Sequence, residues 1–188
     1  MEEDRERWNT RFKKHLMVQP NTPGFIEDKL DQLRPGTVLD IASGDGAAAL
    51  YLARKKFSVT AIDISDVALQ RLSIFAQESG LDKKTCQVDL DHPSPLTQLG
   101  TFDNIVIAHF KPKASYWPLL ASLLRPGGKL LLSTFNLKHH NTNGFSRRFC
   151  LEHKELIDIS DQLILEHHAS SDRNGHYMDD YLFSRVKF

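Results

Sequence analysis

Five short runs, each nearly unbroken in apolar and β-branched residues, punctuate this chain: TVLDIA (37–42), SVTAIDI (58–64), TCQVDL (85–90), FDNIVIAHF (102–110) and GKLLLSTF (128–135). A strand with one wet face alternates apolar and polar residues. Runs without that alternation belong to a sheet covered on both sides. Helix-like stretches separate the early runs. GDGAAALYLARKK sets Ala49, Leu52, Ala53 and Lys56 at helical spacing. SDVALQRLSIFAQESG opens on Ser65 and Asp66 as caps, aligns Leu69, Leu72, Phe75 and Ala76 on one face, and stops at Gly80. Strand–helix–strand alternation predicts a parallel sheet between helices. Two later segments, QLILEHHAS (162–170) and YLFSRVKF (181–188), read as a closing strand pair joined by a polar loop containing SDRNGH. With no repeat and no low-complexity linker, the 188 residues read as one α/β domain.

Charge and cysteine usage narrow the function classes. The 24 basic and 24 acidic side chains balance, which argues against a partner as large and anionic as a nucleic acid. Cys86 and Cys150 lie far apart and form no CxxC pair, so reduced thiols in a cytoplasmic protein are expected. The opening MEEDRERWNTRFKKH lacks the apolar segment of a signal peptide, and no apolar run approaches the roughly 20 residues that span a bilayer. Membrane association is therefore not expected. Oligomeric state is not legible.

The chemistry concentrates in VLDIASGDG (38–46), where a carboxylate ends an apolar strand and glycines follow at once. Gly44 and Gly46 let backbone approach a ligand, and the next helix presents free amides. Gly44-x-Gly46-x-x-Ala49 satisfies the dinucleotide pattern, with Asp63 as its ribose acid. Asp40 points elsewhere. A carboxylate before the turn repels a pyrophosphate and attracts a cation, such as the ammonium of a zwitterionic nucleoside. Asp63, ending the second run, can accept both ribose hydroxyls. Asp89, ending the third, can accept from an adenine amino group while Leu90 and Ile64 pack on its faces.

In this order the motifs resemble those of class I S-adenosylmethionine-dependent methyltransferases. VLDIASGDG resembles the family's D-x-G-x-G-x-G, with Ala42 in place of the first glycine; VTAIDIS, VDLD, FDNIVIAHF and LLRPGGKLLLSTF resemble the motifs that follow. More narrowly, Trp8, Arg11 and Phe12 in a W-x-x-R-F, the wording DISDVAL, and TFNLKHHNTNGFSRRF resemble small tellurite-resistance-type methyltransferases. The resemblance implies a three-layer Rossmann-like sandwich whose sheet has seven mostly parallel strands, the last antiparallel. It implies S-adenosyl-L-methionine as cofactor, held by Trp8, Arg11, Asp40, Ala42, Ser43, Gly44, Gly46, Asp63, Ile64, Asp89, Leu90 and Ala108. Residues 1–30 become a helical lid region.

Methyl transfer from a sulfonium is an in-line displacement that demands alignment and exclusion of water, so no catalytic triad is expected. The end of the fourth run, AHFKP, makes His109 a candidate base and Phe110 a candidate wall of the transfer pocket. It also lacks the Asp/Asn-Pro-Pro-Tyr/Phe motif of enzymes that methylate amide or exocyclic amino nitrogens. Arg147 and Arg148 are candidates for binding an anionic acceptor. No metal site is expected, because the adjacent His pairs (His139–His140, His167–His168) do not share a face and no acid or cysteine completes a set. The expected function is methyl transfer to a small-molecule acceptor. An NAD(P)-binding oxidoreductase and a non-catalytic cofactor-binding protein of the same fold stand as rivals.

Overall fold

A computed structural model of the protein describes residues 2–92 and 94–187. The apolar runs form one seven-stranded sheet in the order β3-β2-β1-β4-β5-β7-β6. Its strands are β1 (Thr37–Ile41), β2 (Ser58–Asp63), β3 (Lys84–Gln87), β4 (Phe102–Ala108), β5 (Leu124–Phe135), β6 (Leu163–Arg173) and β7 (His176–Arg185). β1 pairs in parallel with β2 and β4, β2 with β3, and β4 with β5, while β7 runs antiparallel to both β5 and β6. The expected sheet, with its last strand reversed, is the one found.

Continuous apolarity in the central strands reflects two cores, one per face. On one face Val38, Val59, Ala61, Val106 and Leu131 pack against Phe25 and Ile26 of α2 (Gly24–Asp28), α3 (Ala47–Arg54) and α4 (Asp66–Glu78). On the other, Leu39, Ile41, Ile105, Ile107 and Leu132 pack against Trp117 and Leu120 of α5 (Trp117–Leu123), and against Leu151 and Leu156. Helix α6 (Leu137–Asn143) follows β5. The predicted helix between β2 and β3 starts as read, with the Ser65 hydroxyl accepting from the Ala68 amide at 3.0 Å. Among the described residues, no helix is long and apolar enough to cross a membrane.

Several boundaries differ from the sequence reading: β5 starts at Leu124, β4 ends at Ala108, and three other differences have a clear physical reason. The polar loop expected around SDRNGH is strand except for Asn174 and Gly175. These two take φ of 56° and 81°, the paired left-handed residues of a tight hairpin turn. The last strand therefore begins at His176 and ends at Arg185, whereas Phe188 lies outside the described residues. The third strand stops at Gln87, two residues before Asp89, because the Asp89 carboxylate accepts the Asp91 amide at 2.9 Å and turns the backbone.

Opposite the ligand edge, buried polar side chains hold the strand starts. Asn104 is fully buried; its Oδ1 accepts the Arg34 amide at 2.9 Å and its Nδ2 donates to the Arg34 carbonyl at 2.7 Å. Removing both partners at once leaves two backbone groups unpaired, at a cost of order 1 kcal/mol each or more. Asn104→Ala is expected to destabilise the fold by about 2 kcal/mol, read as a lowered denaturant midpoint at unchanged slope.

Candidate active site

Strand order reverses between β1 and β4, and the crevice that reversal opens lies at the strands' carboxyl ends. The glycine turn fills the β1 side. Ser43 donates its amide to the Ile62 carbonyl at 3.0 Å, and Gly44 donates to the Asp63 carboxylate at 2.8 Å, so the turn leans onto the end of β2. Gly46 begins α3 at φ 97°, where an added Cβ would fall 2.2 Å from a methyl of the buried Leu72. Glycine is required there by packing as much as by dihedral. Ala42 also sits left-handed, at φ 55°, the region the family's glycine suits. An alanine there carries strain of about 1 kcal/mol, which the motif match alone did not reveal.

The strand-end acids occupy different environments. Asp40 is 1% exposed, and neither carboxylate oxygen has a hydrogen-bond partner. Burial, with the like charge of Asp63, pushes its pKa up to about 8, while the Ala49 amide favours the charged form. A buried, unpaired carboxylate at the mouth of a bare-backbone turn is suited to a cationic ligand group. Asp63 is buried too and already bonded, its oxygens accepting from the Gly44 and Ser65 amides, both at 2.8 Å. Burial still holds its pKa above the ordinary carboxylate value. Each oxygen keeps a second lone pair, so Asp63 can accept further hydroxyls without releasing the turn. Asp89, half-buried, lies past β3 near Leu90, whose carbonyl accepts the Tyr116 hydroxyl; the Ile64 carbonyl accepts from Gln87.

Across the crevice the chemistry changes from acids to rings. Because Ile41 pairs with Ile107, Ala42 and Ala108 leave adjacent strands side by side. His109 follows at φ 57°, exposed, its amide bonded to the Ser133 carbonyl at 2.8 Å. Its imidazole lies 5.5 Å from the Phe135 ring, whose other neighbours are His139 at 4.3 Å and Phe145 at 4.7 Å, with His176 at 6.3 Å. The protein atoms packed around the rim and the nearby His176 lower the pKa of His109, so it is neutral at pH 7 and able to accept a proton. Sequence spacing did not expose this ring cluster, since its members come from β5, α6, β7 and the segments that follow β4 and α6. Phe110 is half-buried against the α5-side core. Arg147 is engaged with Glu152 at 2.9 Å, and Arg148 lies over the Phe149 ring.

Helix α1 (Glu2–Lys14) crosses the donor side without burying a single residue. The Phe12 ring comes within 3.2 Å of where a Cβ on Gly44 would stand, and the Arg11 guanidinium stacks 5.2 Å from the Trp8 ring. Asn9, not singled out from the sequence, accepts from the Ser65 hydroxyl at 2.6 Å and donates to Asp66 at 2.7 Å. Among the described residues, no group of histidine, cysteine and acidic side chains could hold a metal ion.

Comparison with known proteins agrees with this geometry. Residues 38–128 match the methyltransferase domain family. The ubiquinone biosynthesis O-methyltransferase of Aeromonas salmonicida is 29% identical over 129 residues, covering 66% of this chain and 54% of that protein. Its Pectobacterium atrosepticum counterpart is 30% identical over 129 residues, covering 66% and 53%. The chain thus spans about half the length of these curated relatives. Among solved structures, magnesium protoporphyrin IX methyltransferase from Synechocystis PCC 6803, with bound SAH, superposes with a TM-score of 0.75 at 17% identity, over 98% of this chain and 99% of that one. TehB from Haemophilus influenzae superposes at 0.71 and 18% identity, over 96% and 67%. Residues 38–128 are thus similar to the methyltransferase domain family, and the seven-stranded fold is one that solved methyltransferases share.

Proposed function

We propose that the protein transfers the methyl group of S-adenosylmethionine to a small-molecule acceptor, working in the cytoplasm as one domain whose N-terminal residues cover the donor site. The observation that carries this reading is the orphaned Asp40 carboxylate, buried beside the glycine turn. It fits a ligand that brings a cation to that point, as the amino-acid end of S-adenosylmethionine does. Asp63 takes the ribose hydroxyls, and Asp89 with Ile64 and Leu90 takes the adenine. Trp8 and Arg11 roof the site, while Ala42, Ser43, Gly44, Gly46 and Ala108 supply close backbone. The bound cofactor supplies an electrophilic methyl; the chain's part is to align the acceptor and exclude water. A dinucleotide fits less well, because its pyrophosphate would face Asp40, Asp45 and Asp63 together.

The acceptor half is the ring-lined rim of His109, Phe110, Phe135 and Phe145. Neutral His109 can take a proton from an acceptor hydroxyl or thiol, and Arg148 stands ready for an anionic substituent. The curated relatives named above are O-methyltransferases, which supports a hydroxyl acceptor. Cys86 and Cys150, both unpaired, suit a reducing compartment.

Calorimetry tests the donor site. The protein should bind S-adenosylhomocysteine, and Asp63→Asn should weaken that binding at least tenfold, about 1.4 kcal/mol or more. Wild-type affinity in the variant would remove Asp63 from the site. Asp40 gives a second test through protons. Its pKa of about 8 in the ligand-free protein lies above its ordinary 3.8, so the folded state binds a proton that the unfolded state has released. Stability of the ligand-free protein therefore falls as pH rises from about 4 to about 8, and Asp40→Asn should flatten that slope in thermal unfolding. A cationic ligand reverses the preference, so binding near pH 7 should release a proton. Calorimetry in buffers of differing ionisation enthalpy measures it, and binding with no proton release would sever Asp40 from the ligand.

A further inference from the structure

Arg71, on the outer turn of α4, is a buried guanidinium that the proposed reaction does not use. Its Nε and one terminal nitrogen contact the Asp45 carboxylate at 3.1 and 3.0 Å, and Asp45 is the residue between the two glycines of the turn. The remaining donors reach the opposite way. They bond the His15 carbonyl at 3.1 Å, the Leu16 carbonyl at 2.7 Å and the Met17 sulfur at 3.1 Å, all in the strap that leaves α1. One planar fork thus holds the donor turn and the base of the N-terminal arm together. A lysine, with a single point of charge, cannot reproduce that geometry.

The arm has little else to hold it. Helix α1 buries no residue, and Leu16, Met17 and Val18 are 82%, 54% and 65% exposed, while the Met17 sulfur and the carbonyls of Leu16 and His15 turn inward on Arg71. Attachment is polar and local: Arg71 at the strap, Asn9 at the start of α4, and Gln19 just past the strap, which accepts from Arg54 at 2.7 Å. Segments with few buried apolar contacts open at low free-energy cost. When this one opens, Phe12 leaves Gly44 and the glycine turn is uncovered.

We propose that Arg71 is a positioning residue that couples closure of the N-terminal arm to the shape of the glycine turn, so that arm and turn close over the cofactor as one unit. The coupling rests on reading the glycine turn as the donor site. Full-length Arg71→Met and Arg71→Lys proteins test it by two measurements: trypsin cleavage after Lys13 and Lys14, and the dissociation rate of S-adenosylhomocysteine. Arg71→Lys keeps a charge for Asp45 and guards against a variant that fails to fold.

In both variants, cleavage of the ligand-free arm is expected to rise about tenfold, as is ligand dissociation, while association changes less. Asp45→Asn, which loosens the same fork from the turn side, should move both readouts in the same direction. A folded Arg71→Lys protein with wild-type cleavage and wild-type dissociation overturns the coupling and reduces Arg71 to a structural ion pair. A wild-type protein that binds no S-adenosylhomocysteine overturns the donor-site reading, and the coupling with it. The two failures are therefore distinguishable.

Discussion

The hydrogen bond from the Gly44 amide to the Asp63 carboxylate joins the two strand ends on which the proposed donor site rests. It fixes the bare backbone after β1 against the end of β2, and the other Asp63 oxygen fixes the start of α4 through Ser65. From Ser65 the connection runs to Asn9 and so to α1. One buried acid thus organises turn, helix start and arm while keeping lone pairs for a ligand. Its elevated pKa marks the cost: burial outweighs the three amide contacts that favour the charged carboxylate.

Asp40 shows the opposite arrangement. It carries the penalty of burial with the Ala49 amide alone favouring its charge, in a fold that gives Asp63, Asp103 and Asn104 their hydrogen-bond partners. Among the described residues, Asp40 is the buried acid with both oxygens short of a hydrogen-bond partner, which makes it informative. Natural cores leave few such groups, and those they leave tend to sit where function needs them. Ala42, held left-handed one residue past β1, adds backbone strain at the same corner. Both costs fall within three residues, at the corner proposed to receive the cationic end of the donor.

Most of the sheet was legible because the central strands are buried on both faces and so read as continuous apolar runs. The β6–β7 hairpin was legible only in part. β6 is an edge strand, and its Ser170, Ser171, Asp172 and Arg173 look like loop in a linear reading. The three acids were legible as strand-end residues, but their differences were not. That Asp63 is bonded while Asp40 is orphaned depends on how the turn folds back, which no spacing states. The ring cluster and the Arg71 fork were invisible for a related reason. Phe135, His139, Phe145 and His176 come from separate elements, and Arg71 reads as one more charge on an amphipathic helix.

The division of the crevice bears on which half of such a site is free to change. The proposed donor half is built from backbone positions and acids whose partners are themselves structural: Gly46 against Leu72, Asp63 against two amides, Asp45 against Arg71. A substitution at any of them disturbs packing as well as binding. The proposed acceptor half is built from side chains at strand ends and on and after α6, most of them exposed or half-buried, which stack on one another. Rings of that kind can be exchanged with little consequence for the sheet beneath. A constrained donor half and a replaceable acceptor half explain how the donor can be read from the motifs of this chain while the acceptor has to be read from the rim.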